Sequence, residues 1–448
     1  MTQNGISQRS FIISIAILAF MYFIFGFVSW INAILIPYFK IACELSNFES
    51  YLVAFAFYIA YLVMSMPGAY LLKKVGFKNG IVSGFFILAL GALIFVPAAM
   101  TRIYGIFLVG LFTMGTGLAI LQTAANPYVT IIGPLDKAVQ RMSIMGICNK
   151  FAGIVSPLVF AAFTLKAADK ELFAALPTMA EATRNLALDE LIHRVILPYT
   201  CLSVLLIGVG LFIRYSALPE INTEEENEEQ VAACAGKNNV FQFPYLILGA
   251  VALFLHVGTQ VIAIDTIIGY AGSMGMDLIS AKIFPSFTLT ATIVGYIIGV
   301  FCVPRFIGQT NLLKICTVTG LLLSFCILFV PGHMIFKGHE IAVSIWFVVL
   351  LGLPNALIYA GIWPLAIRNL GRFTKVGSSI LVMGLAGNAI LPLIYGHFVD
   401  FIGTRQAYWV LVPCFIYLVF YAVYGHKITS WKPRLFLDKE NKRRANHF

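Results

Sequence analysis

Residues 10–37 read SFIISIAILAFMYFIFGFVSWINAILIP, with no Asp, Glu, Lys or Arg between Arg9 and Lys40. A helix needs about 20 mostly apolar residues to cross a bilayer, and this run exceeds that. It is too long for a secretory signal, lacks a small-residue cleavage pattern, and leads into further apolar runs. Working outward from it, comparable runs fall at 48–72, 79–99, 103–132, 139–165, 194–218, 243–270, 279–304, 311–331, 339–367, 376–399 and 405–426. The runs are long and do not alternate as barrel strands do. Composition agrees: 60% of residues are hydrophobic and 11% are charged, where soluble domains carry about 25% charge. The expected fold is an all-α membrane protein with twelve transmembrane helices.

The distribution of Lys and Arg in short loops predicts orientation. One face holds Arg9, Lys73, Lys74, Lys78, Lys137, Arg141, Arg305, Lys314, Arg368, Arg372, Lys375 and the tail from Lys427 to Arg444. The other holds Lys40, Arg102, Lys166, Lys170, Arg184, Arg194, Lys282, Lys337 and Arg405. The excess places both termini in the cytoplasm, and it accounts for the net charge of +10 without nucleic acid. The organisation expected is an N-terminal six-helix half (1–218), an acidic cytoplasmic linker (219–242), a C-terminal six-helix half (243–427) and a basic cytoplasmic tail (428–448). The linker carries Glu224-Glu225-Glu226-Asn227-Glu228-Glu229, read as a solvated segment. The tail suits anionic lipid headgroups. The long loop from Lys166 to Arg194 leaves room for a short outer helix.

The halves carry signs of duplication. Lys73-Lys74-Val75-Gly76-Phe77-Lys78 after the second run is answered by Pro304-Arg305-Phe306-Ile307-Gly308 after the eighth, both short basic turns with a glycine. Asn126-Pro127 in the fourth run is answered by Trp363-Pro364 in the tenth. Parallel six-helix halves with a midplane site between them are the arrangement of the major facilitator fold.

Ionisable groups inside spans cost roughly 2.5–3.5 kcal/mol at a helix centre and usually mark function. Only Lys150, in the fifth run, and Asp265, in the seventh, lie well within a run; Glu49 and Asp400 are at run ends. The functional reading is that Asp265 takes a coupling cation, with Lys150 balancing it or bonding substrate. The bland reading is a structural ion pair. Asp265 falls in a stretch that Gly269 and Gly272 are expected to interrupt. Gln122, Asn126 and Thr130 share one helical face, as do Asn355, Tyr359 and Trp363. His256 and Gln260 share a face of the seventh run, about 140° from Asp265 in a regular helix. Asn32 and Trp30 lie in the first run and Asn149 beside Lys150. Amides both donate and accept, which suits hydroxyl-rich ligands, and aromatic faces suit the C–H face of a sugar ring. Tyr395, His397 and Tyr408, near run ends, read as interfacial.

Soluble-enzyme signatures are absent. There is no phosphate-binding Gly-rich loop ending in Lys-Ser/Thr, so no ATPase engine is visible. The eight cysteines and the isolated histidines lack metal-ligand spacing. The chain reads as a transporter rather than an enzyme, with no cofactor beyond a coupling ion, H+ or Na+, and its partners are a small solute and the bilayer. It is expected to function as a monomer.

Five segments carry a family resemblance: Asn32-Ala33-Ile34-Leu35-Ile36-Pro37, Gln122-Thr123-Ala124-Ala125-Asn126-Pro127-Tyr128, Asn149-Lys150-Phe151-Ala152-Gly153, Val261-Ile262-Ala263-Ile264-Asp265-Thr266 and Gly384-Leu385-Ala386-Gly387-Asn388. They resemble the fucose/glucose–galactose symporter family of the major facilitator superfamily. The resemblance runs from Phe25 to Lys427. It implies cation-coupled uptake of a hexose across the bacterial inner membrane, and it adds Asn388 to the candidate sugar ligands. Fucose-type members have an Asp after the first-helix Asn and a Glu at the position of Gln122. This chain has Ala33 and Gln122. The Asn149-Lys150 pair and Asp265-Thr266 look like the glucose/galactose branch, in which a Glu is expected where Gln260 stands.

The leading reading is a cation symporter of a neutral monosaccharide, glucose or galactose first, working by alternating access. Asp265 and Lys150 would couple the cation, and Asn32, Gln122, Asn126, Asn149, Gln260, Asn355, Tyr359, Trp363 and Asn388 would contact sugar. An uncoupled facilitator, a symporter for fucose, mannose or N-acetylglucosamine, a non-transporting sugar sensor, and a drug exporter are the alternatives.

Overall fold

With no water in the hydrocarbon core, a chain this apolar has to satisfy its backbone within itself, and helices do that. The computed structural model describes residues 8–45, 47–164, 175–216, 237–276 and 283–431, with Leu172 and Ala281. Ten stretches of it are long and apolar enough to cross a membrane. The longest is two spans joined end to end, and the helix Ala138–Thr164 adds another, so the fold has the twelve spans expected. The first is Gln8–Ala42; the second and third form Asn47–Thr101; the fourth is Tyr104–Ile131 and the fifth Ala138–Thr164. The sixth is Ile196–Tyr215, the seventh Pro244–Asp265 continued by Ile267–Ser273, the eighth Ile283–Cys302 and the ninth Gln309–Phe329. The tenth combines Ser344–Leu350 with Gly352–Ile367, the eleventh Thr374–Met383 with Gly387–Ile402, and the twelfth is Leu411–Val423.

Three local features differ from the sequence reading. The turn expected over 73–78 shrinks to one residue, Gly76, at φ 81° and ψ 176°, a conformation essentially reserved for glycine. The seventh span breaks at Thr266, ahead of Gly269 and Gly272. There the Thr266 hydroxyl donates to the Ile262 carbonyl at 2.7 Å and competes with the helical ladder. Tyr408 and Tyr395 are buried rather than interfacial. The Tyr408 hydroxyl meets Thr266 Oγ1 at 3.0 Å, and Tyr395 donates to the Thr404 carbonyl at 3.1 Å, so each phenol has the partner a buried one requires.

The loop before the sixth span does contain a helix, Glu181–His193. It is tied down on the face opposite the basic loops: Arg102 reaches Asp189 at 3.3 Å and Glu44 at 3.6 Å, and Arg184 reaches Glu44 at 2.9 Å. On the basic face, buried Arg141 donates to the carbonyls of Val129, Thr130, Gly133 and Pro134, at 2.7–3.3 Å. Val129 and Thr130 belong to the last turn of the fourth span, whose carbonyls a helix end leaves without partners. A short antiparallel hairpin, His333–Phe336 with His339–Ala342, joins the ninth and tenth spans. The acidic run 224–229, Lys166 to Glu171, and the tail beyond Trp431 lie outside the described residues.

Helix neighbours repeat between the halves. The first span packs on the fifth as the seventh does on the eleventh, and the third packs on the sixth as the ninth does on the twelfth. The second meets the fourth through Gly115, where an added Cβ would stand 2.3 Å from the Phe57 carbonyl oxygen. The eighth meets the tenth through Gly352, at 2.4 Å from that of Thr288. Gly115 precedes Pro127 by twelve residues, and Gly352 precedes Pro364 by the same twelve. The two glycines are thus the same position of a repeated unit. Contacts between the halves are also symmetric: the rod of spans two and three touches the eleventh as the fifth touches the eighth, and the fourth touches the tenth. A pseudo-twofold exchange of halves maps this pattern onto itself.

In lipid, helices adhere by close packing of small residues rather than by hydrophobic burial. Gly352→Val should therefore destabilise the second half by about 1–3 kcal/mol, the usual cost of overpacking. Thermal unfolding in detergent would register this as a lower midpoint, and an unchanged midpoint would mean the tenth span can slide away from the eighth at no cost.

Candidate functional site

The halves meet tightly on the basic face. Gln140 Nε2 donates to the Val300 carbonyl at 2.8 Å, while Gln309 accepts from Val139 N at 3.0 Å and donates to the Leu135 carbonyl at 2.5 Å. Lys375 Nζ lies 5.6 Å from the centre of the Phe77 ring. Higher in the interface, Gly146 stands against Tyr296, and a Cβ there would come within 2.3 Å of the ring.

Above this seam, towards the opposite face, a cavity of about 180 Å³ separates the halves. Each lining span contributes one stripe at helical spacing. From the first come Tyr22, Phe25, Ser29 and Trp30; from the second, Tyr58 and Tyr61; from the fourth, Gln122. The fifth adds Met142, Gly146, Asn149 and Lys150, and the seventh Val257, Gln260, Val261, Ile264 and Asp265. Tyr296, Tyr359, Leu385 and Asn388 close the far wall. The stripe on the seventh span is wide enough to hold both Gln260 and Asp265, although the two point well apart around the helix.

The two charges face the same space differently. Lys150 is 8% exposed, and its Nζ stands 5.0 Å from the centre of the Trp30 ring. Gly153 makes room for that indole: a Cβ there would lie 2.7 Å from Trp30 Cδ1. Asp265 is exposed to the cavity. Among the described residues no ion pair within 4 Å joins Asp265 or Lys150 to any partner. The remaining wall is amide and phenol. Gln122 Nε2 donates to the Tyr61 hydroxyl at 3.1 Å, and Tyr61 stacks with Tyr58 at 6.2 Å. Asn149 Nδ2 approaches the Tyr22 carbonyl at 3.4 Å.

Seven of the eleven proposed site residues meet here, Gln122, Asn149, Lys150, Gln260, Asp265, Tyr359 and Asn388, joined by Trp30. Three stand outside the cavity. Asn126 is buried beneath it, accepting from the Tyr22 hydroxyl and donating to the Tyr359 hydroxyl at 3.1 Å, so its amide bridges the halves. Trp363 is fully buried at 6.0 Å from the Tyr359 ring, and Asn355 is 1% exposed with no partner for Oδ1. The side chain of Asn32 lies outside the described residues. The phenol wall of Tyr22, Tyr58, Tyr61 and Tyr296 was not anticipated. Its signal was there, as Tyr58 and Tyr61 sit one turn apart in an otherwise apolar run, but membrane tyrosines more often mark interfaces.

Residues 18–386 match the family model described as Major Facilitator Superfamily. The chain belongs to that superfamily. This superfamily member is a multi-pass membrane transporter and not an enzyme. It is 30% identical over 424 residues to a glucose/galactose transporter of Brucella abortus, covering 94% of this chain and 96% of the relative. It is 29% identical to the L-fucose-proton symporter of Escherichia coli, covering 89% of each. Among solved structures, the superfamily transporter FucP in the outward conformation superposes with a TM-score of 0.77 at 27% identity, covering 92% of this chain and 98% of that one.

Proposed function

We propose that this transporter imports a neutral monosaccharide, glucose or galactose by preference, together with H+ or Na+. The observation that carries the reading is the composition of the cavity: four amides and a wall of phenols around a single carboxylate and a single ammonium. Paired donors and acceptors at that density suit a molecule covered in hydroxyls. Gln122, Asn149, Gln260 and Asn388 bond the hydroxyls, and the Tyr58–Tyr61 pair takes the apolar ring face. Asp265, open to cavity water, takes the cation. The relatives' names support the sugar class.

Placement follows the positive-inside rule. The basic face is cytoplasmic, both termini lie inside, and the membrane is the bacterial inner membrane. The seam between Gln140, Val300 and Gln309 then closes the cytoplasmic side, and the cavity faces outward. The halves 1–218 and 243–427 rock about it as units joined by the acidic linker, within one monomer.

Uptake by cells lacking their own hexose carriers tests this. Labelled glucose, galactose, fucose and N-acetylglucosamine are offered with and without Na+, and with and without a protonophore. The expected result is concentrative uptake of glucose or galactose that one ion abolishes when removed. Equilibration indifferent to both ions would instead make the protein a facilitator, a reading that the amides at Gln122 and Gln260 favour. Absence of flux for all four sugars would defeat both.

A further inference from the structure

Lys150 is left unexplained by sugar binding. The residue is 8% exposed at membrane depth, and its ammonium leans on Trp30 at 5.0 Å with no carboxylate within 4 Å among the described residues. Removing an ion from water without a partner is expensive, so such a cation needs an anion at some stage of its cycle. The other charge lining the cavity is Asp265, on the other half. Lys150 belongs to the fifth span and Asp265 to the seventh, and the halves carrying them are touching on the basic face and separated above it.

We propose that Lys150 is a tethered counter-cation, which pairs with Asp265 when the empty carrier closes around its cavity and so lets the unloaded protein reorient. This rests on the reading of Asp265 as the cation site. With sugar and cation bound, Asp265 is neutralised and Lys150 rests against the Trp30 face. After both leave, the bare carboxylate would have to cross the membrane alone, and the ammonium replaces the departed cation. The empty form is neutral across the pair and the loaded form carries one positive charge. Each sugar therefore moves with one net charge.

The arrangement predicts which half-cycle each residue serves. In Lys150→Met the loaded carrier still turns but the empty one is stranded with an unpaired carboxylate. In Lys150→Met/Asp265→Asn no charge remains, so the empty carrier turns freely but has no cation site.

The experiment uses proteoliposomes of the full chain and whichever of the four sugars the wild type takes up. Two rates are compared, net entry into empty vesicles and exchange against sugar trapped inside. For Lys150→Met, net entry should fall about a hundredfold further than exchange, as expected for stranding an uncompensated charge. The double variant should regain net downhill entry to within about tenfold of wild type while accumulating nothing. Equal loss of entry and exchange in Lys150→Met, with no regain in the double variant, would make Lys150 a sugar ligand and overturn the proposal. Should Lys150→Met fail to fold, the double variant against Asp265→Asn decides alone: faster net entry in the double supports the pairing, equal or slower entry refutes it. Concentrative uptake surviving in Asp265→Asn is a different failure, that of the cation-site reading itself.

Discussion

Asp265→Asn should bring sugar accumulation down to simple equilibration. One elementary charge moving through 100 mV supplies about 2.3 kcal/mol, and at 1.4 kcal/mol per factor of ten that sustains a concentration ratio of about fifty. All of that gain depends on the cation crossing with the sugar. Asp265 is the sole carboxylate among the described cavity-lining residues, and Ala33 and Gln122 stand where the resemblance leads one to expect an Asp and a Glu in fucose-type members. Asparagine keeps the shape of the side chain, removes its charge and exchanges one acceptor oxygen for an NH2 donor. Sugar affinity should change little beside the accumulation ratio. Steady-state accumulation of labelled sugar in energised cells is the measurement. A ratio still well above one in Asp265→Asn would place the cation elsewhere.

The second large effect is expected at the seam on the basic face. Gly146 lies where even a single added carbon would meet Tyr296 at 2.3 Å, above the backbone-to-side-chain bonds that hold the halves shut. Gly146→Leu drives four carbons into that contact. Overpacking costs about 1–3 kcal/mol where the surroundings yield a little, and here one state bears it while the state with parted halves does not. The equilibrium should shift by about ten- to a hundredfold towards the form open on the basic face. A disulfide between Gln140→Cys and Val300→Cys, in a background without native cysteines, reports the closed seam. It should form readily in the parent, at least about tenfold more slowly with Gly146→Leu, and at recovered speed once Tyr296→Ala makes space. Cross-linking indifferent to Gly146→Leu would mean that the seam closes without this contact.

Much of this architecture was legible in the chain. Twelve long apolar runs without alternation are helices in lipid, because only helices and closed barrels satisfy their backbone there and barrel strands are short and alternate. Arg and Lys bias carries the orientation proposed for them. The cost of a buried charge singled out Lys150 and Asp265 before any fold was known, and both line the cavity. The repeat between Asn126-Pro127 and Trp363-Pro364 held in three dimensions because Gly115 and Gly352 keep the same spacing and the same close approach.

Other features depend on distance across the fold, which periodicity does not encode. Asn126 shares a helical face with Gln122, yet one turn separates a cavity wall from a buried bridge between Tyr22 and Tyr359. Which amides meet water depends on where two halves part, and that is a property of the partner surface. Tyr58 and Tyr61 could have faced headgroups; their position opposite the seventh span makes them wall. Tyr408, near the end of its run, is buried because Thr266 offers it a hydrogen bond from another span. The sequence alone thus determined how many helices cross the bilayer and which two charges lie at membrane depth. Only tertiary structure decided which polar groups share one space, because that depends on contacts between residues more than a hundred positions apart.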